Sequence, residues 1–108
     1  MSLELSVYHS NNTTILRVIG SVTEVEVYRF SRVLRNLVNE MHPRIGIDIS
    51  EIDYMESHAL GIMVSNFTAM QRQGRELVLI NTSKNPDSYM TRLLDTTHLD
   101  RMIKIIQT

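Results

Sequence analysis

Short β-branched runs alternate with apolar stripes of helical period along all 108 residues, and this alternation restricts the chain to an α/β sheet fold. Leu3-Glu4-Leu5-Ser6-Val7 alternates apolar and polar residues with period two, and Thr14 to Ile19 is β-branched and mostly apolar. Asn11-Asn12 lies between them, and Asn tolerates the left-handed conformations of tight turns, so the two runs predict an antiparallel hairpin that ends at Gly20-Ser21. Val22, Val25, Phe30, Val33, Leu34, Leu37, Val38 and Met41 then recur at helical spacing. Thr23-x-x-Glu26 or Ser21-x-x-Glu24 offers a capping box at the start of that helix, and Pro43 ends it near Met41-His42.

Ile45 to Ile49 predicts a central strand, with a loop from Ser50 to Glu56 behind it. Leu60, Met63, Val64, Phe67 and Met70 form the stripe of a second helix, closed by Gly74 with Arg72 in its last turn. Leu77 to Ile80 is apolar throughout and short, as a buried strand is. Asn85-Pro86-Asp87 predicts the start of a third helix anchored by Leu93, Leu94 and Leu99. Met102 to Ile106 closes the chain as an edge strand or short helix. The expected fold is one α/β domain over residues 1–108: a mixed, mainly parallel sheet of four to five strands, an N-terminal hairpin and three to four helices. Right-handed crossovers bring Gly20-Ser21, Glu51 to Ser57 and Asn81-Thr82-Ser83 to one sheet edge, where function usually lies in open α/β sheets.

Composition removes several function classes. Eleven Lys and Arg against twelve Asp and Glu leave a net charge of −1, without the basic excess of a nucleic-acid binder. The absence of cysteine removes thiol catalysis, disulfides and Cys-ligated metals. His9, His42, His58 and His98 are scattered over four elements without metal-ligand spacing, and the four glycines form no phosphate loop, so no metal or cofactor is expected. The first residues lack the pattern of a signal peptide, and no apolar run approaches the ~18 residues of a membrane span. A cytoplasmic setting is compatible with this chemistry.

Read as residues alone, Ser57 is the N-cap of the second helix, and Glu56 is an acid favourable to the helix dipole. His58 next to Ser57 invites a hydrolase reading, but adjacent residues at a helix start point apart and no nucleophile elbow is present. Asp48 and Asp53 read as loop organisers. Arg29, Arg32 and Arg35 read as a solvated helix face, and Met63 and Met70 as core.

Four stretches carry a family resemblance: Ile47-Asp48-Ile49-Ser50 with Ile52-Asp53-Tyr54-Met55, then Glu56-Ser57-His58-Ala59-Leu60-Gly61, Gly74 to Asn81, and Leu93 to Asp100. In this order they resemble the STAS domain of anti-sigma factor antagonists. The resemblance implies a STAS-like fold and a binding module, not an enzyme. It implies a partner that is both anti-sigma factor and ATPase-like serine kinase, a phosphatase as a second partner, and no direct contact with nucleic acid or membrane. Ser57 becomes the phosphoacceptor, with Glu56, His58, Met55, Ser21, Thr82 and Ser83 as partner-binding residues. Glu56, His58 and Ala59 depart from the family's Asp, Ser or Thr, and Gly at these places. A monomer or weak dimer is expected. A STAS scaffold or sensor binding other signalling proteins, or a small ligand, is the alternative.

Overall fold

In the computed structural model, which describes residues 2–107, Asn11 and Asn12 take φ of 49° and 65°. These paired positive values make the two-residue turn whose twist matches a hairpin. Strand β1 (Glu4–Ser10) therefore returns directly as β2 (Thr13–Val22), with Ser10 opposite Thr13 and Glu4 opposite Ile19. The chain continues through helix α1 (Val27–Asn39), β3 (Arg44–Met55), α2 (Ser57–Arg72), β4 (Glu76–Ile80), α3 (Tyr89–Thr97), a 3-10 turn at Leu99–Arg101 and β5 (Ile105–Ile106). Among the described residues the strands form one sheet in the order β1-β2-β3-β4-β5. The hairpin is antiparallel and the other pairings are parallel.

Alternation places the core on one sheet face. Leu16 and Val18 of β2, Ile45, Ile47 and Ile49 of β3, and Leu77 and Leu79 of β4 are buried there. Phe30 and Leu34 of α1 and Met63 and Met70 of α2 cover them. Each such side chain stabilises the fold by roughly 1.5–3 kcal/mol through its burial. Leu60, Val64 and Phe67 pack on this cluster only partly buried, at its margin. Gly46 faces the other way, and a Cβ there would lie 2.8 Å from Ile80 Cδ1. Gly20 has φ of 101°, and a Cβ on it would run into the Ser2 carbonyl.

Several local expectations are corrected. Neither capping box forms at α1, because Ser21 and Val22 belong to β2 and Thr23 instead starts a turn. Its carbonyl accepts from Glu26 N at 3.0 Å and Val27 N at 2.9 Å. The Glu26 carboxylate bonds Arg29 and the Leu3 amide instead. Val22 is thus a buried strand residue, while Val25 is 85% exposed and stands off the helical stripe. Helix α3 starts at Tyr89, where Ser88 is the cap and accepts from Thr91 N. Asn85 only closes a local turn through Asp87 N. Gly74 does end α2: Gly74 N bonds Gln71 O and Arg75 N bonds Met70 O, with Gly74 at φ of 70°. His9 and His42, far apart in sequence, meet: the Nδ1 of each lies 3.1 Å from Thr14 Oγ1.

The largest correction concerns the expected loop from Ser50 to Glu56, which is strand up to Met55. Register shifts between Arg17 and Ile19 and between Gly20 and Ser21 let β2 stay paired with β3 out to Val22 and Met55. Strand β4 ends earlier, with Ile80 beside Asp48. From Ile49 onward β3 has only β2 as a ladder partner, and the two project beyond β4 by on the order of 20 Å at about 3.3 Å per residue.

Candidate functional site

The projecting tip carries the start of α2. Glu56 N donates to Val22 O at 2.9 Å, so Glu56 is held in extended backbone and the helix cannot begin before Ser57. The cap is therefore Glu56, not Ser57. Its Oε2 accepts from His58 N at 2.9 Å, while Ser57 Oγ donates to Oε1 at 3.3 Å. One carboxylate thus satisfies a free helix amide and orients the neighbouring hydroxyl. Ser57 and His58 are exposed. The His58 ring meets Tyr28 of α1 edge-on, with centroids 6.5 Å apart, so it is not a hydrogen-bond partner of Ser57 Oγ.

Around Ser57 the tip is apolar and acidic together. Tyr28 is 74% exposed, and Val25, in the turn before α1, is exposed as well. Tyr54, near the end of β3, is 46% exposed, and its ring lies 5.9 Å from that of Tyr89. Tyr89 donates its hydroxyl to Met55 O at 3.2 Å and so ties the start of α3 to the tip. Ser21 Oγ donates to the Asp53 carboxylate across the β2–β3 pair. Lower on the same pair, the Glu51 carboxylate accepts from Arg17 at 2.7 Å, and its hydrogen bond and charge push the guanidinium pKa up.

Three expected members of the partner surface lie elsewhere. Met55, expected at the partner surface, is buried in the core: each register shift gives β3 an extra residue, so its inward positions past Ile49 fall at Ile52 and Met55 rather than at every second residue. Thr82 and Ser83 do not meet Ser57. Thr82 N and Oγ1 donate to Ser50 Oγ at 2.8 and 3.0 Å, and Ser83 N to Asn81 Oδ1 at 3.2 Å. Their strand ends where β3 has most of its projection still to run. Glu56, Ser57, His58 and Ser21 do share the tip. Tyr28 is the residue that sequence reading missed; its signal is an aromatic side chain lying off the apolar stripe of α1. Among the described residues no three His, Asp or Glu side chains gather as metal ligands would. No helix among them is long and apolar enough to cross a membrane.

A mixed five-stranded sheet flanked by helices, with an exposed serine at the start of the second helix, defines a recognisable class. The STAS domain profile matches residues 4–108, and the chain belongs to that family. Within it, the chain is similar to the anti-sigma-B factor antagonist of Bacillus subtilis strain 168, with 29% identity over 107 residues, 97% of this chain and 92% of that protein. An anti-sigma factor antagonist from Mycobacterium paratuberculosis has the same fold, with a TM-score of 0.84 at 18% identity, covering 99% of this chain and 87% of the other. The anti-sigma factor antagonist SpoIIAA in its unphosphorylated form superposes with a TM-score of 0.73 at 12% identity, over 98% of this chain and 89% of that one.

Proposed function

We propose that this STAS domain is a cytoplasmic anti-sigma factor antagonist, switched by phosphorylation of Ser57. The observation that carries the reading is the exposed Ser57 hydroxyl at the first position of α2, on a projecting tip beside exposed Tyr28 and His58. A hydroxyl there can enter the active site of another protein without any local unfolding. In its free form the tip docks on an anti-sigma factor and releases the sigma factor. Glu56, Ser57, His58 and Ser21 make the centre of the contact. Thr82 and Ser83, lower on the sheet, belong to its margin, and Met55 supports the tip from below.

The switching step is phosphoryl transfer supplied by the partner. Ser57 Oγ attacks the γ-phosphorus of ATP, the bond to the β-phosphate oxygen breaks, ADP leaves, and the hydroxyl proton passes to a base of the kinase. The new group adds about −1.5 to −2 charge. It arises on an oxygen that lies 3.3 Å from the Glu56 carboxylate. The free amides at the start of α2 offset part of that repulsion. Phosphate and Glu56 then compete for the same amides, and the surface offered to the partner changes in charge and shape. A phosphatase restores the free form. The protein itself is a binding module with no turnover of its own.

The test is to incubate the purified chain with the kinase-type anti-sigma factor of its own genome and ATP, and to map the product by peptide mass spectrometry. A phosphoryl group on Ser57, absent in Ser57→Ala, is the expected result. Stable binding without any phosphorylation would leave a STAS scaffold; phosphate on another residue would overturn the assignment of Ser57.

A further inference from the structure

We propose that β1 is the pairing edge of a weak symmetric homodimer, in which two copies join through antiparallel β1 strands into one continuous sheet. The two sheet edges are unequal. Strand β5 offers only Ile105–Ile106, whereas β1 offers Glu4–Ser10, with five consecutive exposed residues from Ser6 to Ser10. Sheet edges that avoid pairing carry Lys, Pro or a bulge, or are covered. Strand β1 contains neither Lys nor Pro, and its register against β2 runs unbroken.

The outward hydrogen-bonding groups can be assigned from the hairpin. A two-residue turn makes Ser10 and Thr13 a hydrogen-bonded pair, and such pairs alternate along antiparallel strands. Ser10, Tyr8, Ser6 and Glu4 therefore spend their backbone groups on β2. Leu5, Val7 and His9 direct theirs outward. A two-fold axis through Val7 matches these groups to themselves: Val7 exchanges both bonds with Val7 of the second copy, and Leu5 exchanges both with the second copy's His9.

Charge and side chains agree with that register. Glu4 is the only Asp, Glu, Lys or Arg in β1. The axis sets it opposite Ser10 of the second copy, so no like charges face each other. Val7, 44% exposed in one copy, meets its own counterpart on the helix side of the sheet. Tyr8, 43% exposed, lies on the other side and stands opposite Ser6 of the second copy. A pairing of this length falls below the roughly 1,200 Å² of stable interfaces, which sets a concentration-dependent equilibrium rather than a permanent dimer. The strands of the two copies run oppositely, so the two Ser57 tips point to opposite ends and neither is covered.

Sedimentation velocity over a wide protein concentration range tests the association. The expected result is a monomer–dimer equilibrium weakened at least about tenfold by Val7→Lys, which sets two cations face to face on the axis. Because the chain has no native cysteine, Val7→Cys gives an independent register test. It should form a disulfide-linked dimer under mild oxidation much faster than Gln71→Cys, an exposed control on α2. A wild-type protein that is monomeric at every concentration overturns the proposal. So does a dimer that survives Val7→Lys, or equal cross-linking at both positions.

Discussion

Replacing Glu56 by Ala removes the acceptor of His58 N and the hydrogen-bond partner of Ser57 Oγ together. An N-cap side chain is worth about 1 kcal/mol. The carboxylate near the positive end of a helix adds about 0.3–1 kcal/mol. Glu56 is half-buried at the end of β3, so water compensates only in part. The expected loss is about 1.5 kcal/mol, or roughly 6–9 °C in the melting midpoint of a domain this size. Glu56→Gln keeps an acceptor oxygen and loses only the charge, so its cost should be the smaller share, about 0.5 kcal/mol. Glu56→Asp keeps both and restores the family's residue; it should lie nearest to the parent. Urea titration followed by far-ultraviolet circular dichroism gives these differences, provided the slope of the transition is unchanged. An Ala variant within about 0.3 kcal/mol of the parent would refute the capping role. A Gln variant as damaged as Ala would show that charge, not hydrogen bonding, holds the helix start.

Calorimetric titration of the partner should show Ser57→Ala binding as the parent does and the phosphorylated form binding roughly a hundredfold more weakly, about 3 kcal/mol; Ser57→Asp should fall between them. Equal affinity for all forms would remove the switch. Gly20→Ala should destabilise the fold by about 2 kcal/mol or more, because left-handed backbone strains any residue with a Cβ. Here that Cβ also meets the Ser2 carbonyl; an unchanged urea midpoint would sink this account. Phe30→Ala opens a cavity under α1 at a fully buried position and should cost about 3–5 kcal/mol by the same measurement.

What sequence could and could not convey follows from the range of each interaction. Period-two and helical stripes are local, so the hairpin, α2 and β4 were legible from spacing alone. The upper half of β3 was not: Ser50, Glu51 and Asp53 look like loop residues until β2 is placed beside them and Ile52 and Met55 turn inward. The start of α2 was legible to within one residue. Serine has the stronger capping preference, yet the bond from Glu56 N to Val22 O, a long-range contact, gave the cap to Glu56. Thr82 and Ser83 were misplaced for a related reason: the shared direction of the strands was readable, their unequal lengths were not. Tyr28 reaches the site only through the packing of α1 against α2.

The sheet order repeats the chain order, and this bears on how the protein is made. No strand has to insert between two others, because each one pairs with the strand synthesised immediately before it. Contacts of moderate sequence separation favour quick folding, and synthesis proceeds from the N-terminus. A nascent chain emerging from the ribosome can close the hairpin first, then add β3 as α1 covers it, then β4 as α2 covers that. Helix α3, whose Met90 and Leu94 are buried, then follows, and β5 and the buried Ile103 side chain join after it.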